Sequence, residues 1–181
     1  MSREVVDAIG KAQPGIQKYL VVMDMLGTVD VAVDRTFQRA YNGFYRVQRR
    51  TPDWCSTYYQ FMQQGKYLAP SFSDTLDYLY QVTGRYEPSF ASKLAATLDP
   101  TKPVWDIHVL RNLGVEPPAY YSRTKLQNSK TCYAWIDSWY QGFLDSDEGA
   151  EWIGLFNQRI PYHQKMTSVK KVDFILWQMR R

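Results

Sequence analysis

Lys93 and Asp106 are the residues of this chain whose types and spacing could do chemistry together. A lysine amine that has lost its proton attacks electrophilic carbon, and a nearby carboxylate stabilises developing positive charge or accepts the released proton. Both lie in S-F-A-S-K-L-A-A-T-L-D-P-T-K-P-V-W-D-I-H-V-L-R-N-L-G, residues 89–114. Phe90, Ala91, Leu94, Ala95 and Leu98 recur at helical spacing and predict one buried face, with Ser92 and Lys93 off it and open to a ligand. Pro100 and Pro103 interrupt the helix, and Asp106 is placed to N-cap a short second helix ended by Gly114. There Val109, Leu110 and Leu113 turn inward and leave His108, Arg111 and Asn112 as a polar face. Each residue has a plain alternative: Asp106 as a helix cap only, Lys93 as an exposed helix lysine, Trp105 as a core anchor.

Other chemistry is sparse. Glu87, Asp99 and Asp173 are further carboxylates for acid or base work, and Arg46, Arg49 and Arg50 form the densest basic patch of the first half, either a solvated helix end or a phosphate contact. Cys55 and Cys132 stand far apart, with no C-x-x-C and no Cys/His cluster, so neither a disulfide framework nor a metal or iron–sulfur site is expected. His108 and His163 are too distant in sequence to make a local ligand pair, and His163 is expected in an inert loop. No glycine-rich phosphate loop and no G-x-S-x-G is present, which sets aside dinucleotide-binding, kinase and most hydrolase readings, and no cofactor is expected.

The elements that must carry these residues read as almost entirely helical. With 181 residues, 45% of them hydrophobic, the chain can bury a full core as one domain over residues 1–181, two lobes with a cleft near 85–114 being the variant of that arrangement. Gln13-Pro14-Gly15 predicts a helix start leading to Gly27, and Thr28 or Asp30 the start of a second helix through Val33 and Phe44 to the arginines. These two should pack as an antiparallel pair. Thr51-Pro52 opens a third helix, Ser71 or Ser73 a fourth that ends at Gly84 with Tyr80 inward, and residues 65–70 a turn between them. The longest helix, residues 123–144, should bury Cys132, Trp135, Ile136, Trp139, Tyr140 and Phe143. Residues 145–151 form an acidic helix start with Trp152, Ile153 and Phe156 on the buried face, and the last helix should place Val169, Val172, Leu176 and Met179 inward with Lys170 and Lys171 outward. Two or three extended residues are expected at Val104-Trp105. The net charge of +4 is a weak bias toward polyanions. Neither a leader segment nor a membrane span is expected, which gives a cytoplasmic address by default.

V-W-D-I-H-V-L-R-N-L-G resembles the V-D-T-H-V-x-R-x-x-x-R-L-G signature of the helix-hairpin-helix DNA glycosylase superfamily, the group of the 8-oxoguanine glycosylases. With R-R-T-P-D-W, E-P-S-F-A-S-K-L and K-K-V-D-F-I-L-W-Q, the chain resembles an uncharacterised bacterial branch related to it. The resemblance implies an all-α, compact multi-helix fold and DNA as partner. It implies excision of a flipped damaged base, an oxidised purine first, with lyase chemistry or without it. Asp106 would then stabilise an oxocarbenium-like sugar and Lys93 attack the sugar carbon. Ser92, Lys102, His108 and Arg111 would hold phosphates, and Trp105 would stack on the base. The superfamily's L-P-G-V-G hairpin is not matched: the chain reads T-G-R-Y-E-P-S-F-A-S there. An inactive helical module for DNA or protein binding is the alternative, and oligomeric state is left open.

Overall fold

The computed structural model describes residues 2–179; residues 1, 180 and 181, which the sequence reading includes in its single domain, lie outside the described residues. Nine α-helices follow in order among them: α1 Ser2–Leu26, α2 Arg35–Tyr45, α3 Pro52–Leu68, α4 Phe72–Thr83, α5 Pro88–Leu98, α6 Ile107–Asn112, α7 Lys125–Leu144, α8 Asp147–Arg159 and α9 Ser168–Gln178. A single 3-10 turn, His163–Lys165, precedes α9. Val104 and Trp105 lie in an irregular connector, and no strand occurs among the described residues.

Two starts differ from expectation. α1 begins well before Pro14 and runs through it. Val5, Ala8, Ile9 and Ala12 are as buried as Ile16 and Tyr19, so packing of one continuous apolar face outweighs the hydrogen bond that proline removes. α2 begins later, capped by the Asp34 carboxylate that accepts from the Phe37 N–H at 2.7 Å, which leaves Val33 exposed in the preceding turn. It also stops before the arginines: Arg46 turns left-handed at φ 55° and Arg49 at φ 56°. Other boundaries follow their caps. Thr51, Ser71 in a full capping box with Asp74, Asp106 and Ser146 each accept a backbone N–H at a helix start. Gly84 and Gly114 take positive φ after α4 and α6. Gly65 lies within α3, and Ala69 supplies the turn beyond it.

The core is unusually aromatic, and α9 sits inside it, packed against α1, α6, α7 and α8. Its residues Val169 to Leu176 are all buried, Lys170 and Lys171 included, which corrects the outward placement of both lysines. Lys171 donates to Asn157 Oδ1 at 2.8 Å. A helix enclosed on every side has no solvated face to give its charges. On α7 the buried line is Ser129, Tyr133, Ile136 and Tyr140, whereas Trp135 is 48% exposed and Cys132 only half-buried. That helix is rotated by about one position from the expected face, because Tyr133 stacks on Phe72 with centroids 3.9 Å apart and Tyr140 reaches Asp173. Tyr80 of α4 likewise remains exposed.

The turn into α8 leaves no room for a side chain at Gly149, where an added Cβ would overlap the Phe143 carbonyl oxygen and lie 2.9 Å from its carbon. Gly149→Ala must therefore shift backbone, and thermal unfolding should show a loss of about 3 kcal/mol, the upper end of overpacking costs. Gly154→Ala, with open space around its Cβ in the same helix, is the control that should not lose stability.

Candidate functional site

Lys93 and Asp106 line one cavity, together with Lys170 and Asp173 from α9 and the rings of Phe44, Tyr45, Phe174 and Trp177. Its volume is about 30 Å³, room for a water-sized guest. Four charged side chains, two of each sign, thus meet in an enclosure completed by these rings and by Val104 and Val109.

Local sequence explains how each arrives. α5 is rich in small residues, Ala91, Ser92, Ala95, Ala96 and Thr97, and small side chains let neighbours close over every face of the helix. Lys93 is therefore buried, 9% exposed, and not on an open face. Its ammonium donates to the Tyr45 carbonyl at 3.3 Å and lies 5.0 Å from the centre of the Phe90 ring. Burial pushes its pKa below the ordinary lysine value; Asp106 pulls the other way, and Arg46 and Arg50 add to the lowering. Asp106 acts on it without a direct ion pair. The carboxylate caps α6, accepting the His108 N–H at 2.9 Å through one oxygen.

The second pair has the opposite electrostatics. Lys170 donates to Asp173 at 2.9 Å, and both are almost fully buried. Burial alone favours the neutral amine, but Asp173, followed by Tyr45 and Tyr19, reverses this and holds the Lys170 pKa above the usual lysine range. Asp173 also accepts from the Tyr140 hydroxyl and, at 3.4 Å, from the Val104 N–H. Two amines in one cavity are thus pushed apart in acidity, the arrangement that separates a reactive group from a permanently charged one.

The connector that carries Asp106 is pinned along its length. Thr167 donates to the Pro100 carbonyl, Tyr133 to that of Pro103 at 2.8 Å, and Ser92 Oγ accepts the Trp105 N–H at 2.9 Å. Ser92 is wholly buried and donates to Ser89, so it holds the connector and presents nothing to a phosphate. Trp105 is a core anchor lying parallel to Phe72 and does not line the cavity. These two positions correct the expected surface and pocket roles: α5 is enclosed on all sides, and the connector folds inward over it.

The remaining residues are dispersed. Lys102 pairs with Asp137 at 3.0 Å. Arg111 is exposed on α6, His108 is half-buried, and Asn112 leaves the polar face to donate to the Leu176 and Met179 carbonyls of α9, both at 2.8 Å. Glu87 is taken by Arg50 at 3.0 Å, whose guanidinium lies over Trp54 and Phe90. Sequence reasoning names Asp173 as a candidate carboxylate but misses Lys170, Tyr45 and Trp177 as cavity residues; the i, i+3 spacing of Lys170 and Asp173 was the available signal. Among the described residues no group of three or more His, Cys, Asp or Glu could hold a metal ion, and no helix is long and apolar enough to cross a membrane. The class this defines is an all-helical protein with a buried lysine–aspartate cavity. No protein-family model, no curated protein and no solved structure matches the chain.

Proposed function

We propose that this protein is a DNA base-excision glycosylase of lyase type, with Lys93 as nucleophile and Asp106 as its electrostatic partner. The observation that carries the reading is the sharing of one cavity by a lysine of lowered pKa and an aspartate fixed at a helix start. The resemblance of residues 104–114 to the superfamily signature supports the same pair. In this reaction the neutral Lys93 amine attacks C1′ of the damaged nucleotide. The C1′–N bond breaks, and the base leaves with the bonding electrons and takes up a proton. Asp106 accepts the proton lost by the nitrogen and returns it to the ring oxygen O4′ as the C1′–O4′ bond breaks with its electrons on oxygen, which gives an iminium linking Lys93 to DNA; the proton on the departed base comes from solvent. Lys170, held charged by Asp173, stabilises negative charge on the departing base.

The water-sized cavity sets a condition on this chemistry: a nucleotide enters only when its wall, Trp177 foremost, moves aside. The same closure favours a second reading, a helical module that binds DNA without acting on it.

Borohydride trapping on duplexes bearing oxidised purines separates the two. Wild-type protein should form a covalent adduct, Lys93→Gln none, and Asp106→Asn should keep its fold, since asparagine caps a helix as well, while losing most of the adduct. Base release without adduct would leave Asp106 at the centre of a monofunctional enzyme. Neither product from folded protein on any lesion would overturn the enzyme reading in favour of the module.

A further inference from the structure

A groove of about 280 Å³ shares Trp177 and Phe44 with the cavity as lining residues. Lys11 and Lys18 of α1, Arg46 after α2 and His108 of α6 line it, and no carboxylate does. Two other surface hollows carry both signs, Asp30 with Lys66 in one and Asp99 and Asp137 with Lys102 and Lys130 in the other, and a third has Arg159 as its one charged lining residue among the described residues. Lys11, Lys18 and Arg46 are exposed and form no ion pair among the described residues, so three cations face solvent along one groove.

Their arrangement is built. Lys11 and Lys18 are seven residues apart on one continuous helix and therefore share a face. Pro14 and Gly15 between them also line the groove. Arg46 holds a left-handed conformation at φ 55° that ordinary side chains disfavour, and its guanidinium lies 5.9 Å over the Trp177 ring. The chain tolerates that backbone cost at the residue that aims a cation into the groove.

We infer that this groove binds the phosphodiester backbone of a DNA strand. Seven helical residues set the two lysines roughly 10 Å apart along α1 at 1.5 Å per residue. A row of this length suits successive phosphates and is too long for one. Because Trp177 and Phe44 border groove and cavity alike, a strand lying here sets a nucleotide against the wall behind which Lys93 and Asp106 sit. The inference deepens the reading above and rests on DNA being the ligand. It also replaces Ser92 and Lys102 as phosphate contacts by residues outside residues 89–114.

The test is fluorescence anisotropy with undamaged single-stranded and duplex oligonucleotides over a range of salt. Lys11→Gln/Lys18→Gln/Arg46→Gly should weaken binding about tenfold or more and reduce the slope of log K against log salt by about 2 to 3, near one for each phosphate no longer neutralised. Arg46→Gly places glycine where φ is positive, so this part should leave the thermal midpoint unchanged or raise it, excluding misfolding as the cause. Arg39→Gln/Arg85→Gln/Arg123→Gln removes the same charge from exposed sites outside the groove and should leave most of the affinity. Equal weakening in both triple variants, or unchanged binding in the first, overturns the groove. Equal competition by inorganic phosphate and by oligonucleotide at matched phosphate concentration would overturn it as a strand site. An adduct in the trapping assay with groove variants unaffected would sink this inference and leave the glycosylase standing; groove-dependent binding without any adduct would do the reverse.

Discussion

Asp173→Ala is expected to lower the melting temperature by about 10 °C, the largest stability effect of any single substitution at the cavity. Lys170 is 2% exposed, and Asp173 is its ion-pair partner among the described residues. Removing the carboxylate strands an ammonium against the Tyr19 ring, 5.5 Å from its centre, and breaking a buried pair in this way costs about 3–5 kcal/mol. For a chain of this size each kcal/mol moves the midpoint by about 2–4 °C. The same change frees the Tyr140 hydroxyl and the Val104 N–H, so the connector holding Asp106 loosens as well. Lys170→Met/Asp173→Leu, which removes both charges, should lose far less. The sign with pH follows from the raised Lys170 pKa. A raised value gives stability that is fully present below the unfolded lysine pKa of about 10.4 and is lost only as pH rises toward the folded value. The Lys170 contribution to wild-type stability is therefore flat from pH 6 to 9, whereas the stranded Lys170 of Asp173→Ala, buried without a carboxylate, costs less as pH rises toward about 10.4, so the wild-type advantage in calorimetry should narrow with rising pH. A midpoint change under about 2 °C would mean that the pair is no structural anchor.

Caps and glycines were the legible part of this fold. Thr51-Pro52, Ser71 and Asp106 announce helix starts through chemistry local to a few residues, as does the acidic run at 145–151, and Gly84 and Gly114 announce ends. Three features were beyond such local signals. Pro14 reads as a start, yet the apolar face of α1 continues on both sides of it, so tertiary burial decided the boundary. Arg46 ends α2 in a conformation that glycine or asparagine would have announced and arginine does not. Periodicity identifies one buried face, and it fails for α5 and α9, which are buried all round: Lys93, Lys170 and Lys171 were read as surface residues for that reason. Within the site, the Lys93 and Asp106 pairing was visible as residue types, but their cavity depends on Tyr45, Phe44 and Trp177, which come from distant parts of the chain. The groove cations of α1 were invisible until that helix was known to extend back past Lys11.

Lys93→Met should abolish the covalent adduct and at the same time make the protein more stable at neutral pH. The amine is buried without a carboxylate in ion-pair contact, and its best acceptor is the Tyr45 carbonyl at 3.3 Å. A methionine of similar length fills the same space without a charge to desolvate, and the expected gain is about 2–4 °C in melting temperature, the shift that roughly 1 kcal/mol gives in a chain of this size. The pH dependence is opposite in sign to that of Lys170. Burial lowers the folded pKa of Lys93, so between that value and about 10.4 the unfolded chain binds more protons than the folded one, and wild-type stability rises with pH. The advantage of Lys93→Met should accordingly shrink as pH is raised toward 10.4. Calorimetry of the two proteins from pH 6 to 10 reads this directly. A lysine serving only to hold the fold would give the contrary result, a variant less stable at every pH. A lysine whose removal costs activity and gains stability has no structural reason to be buried there, and the lowered pKa that makes it costly is the property that the proposed nucleophile requires.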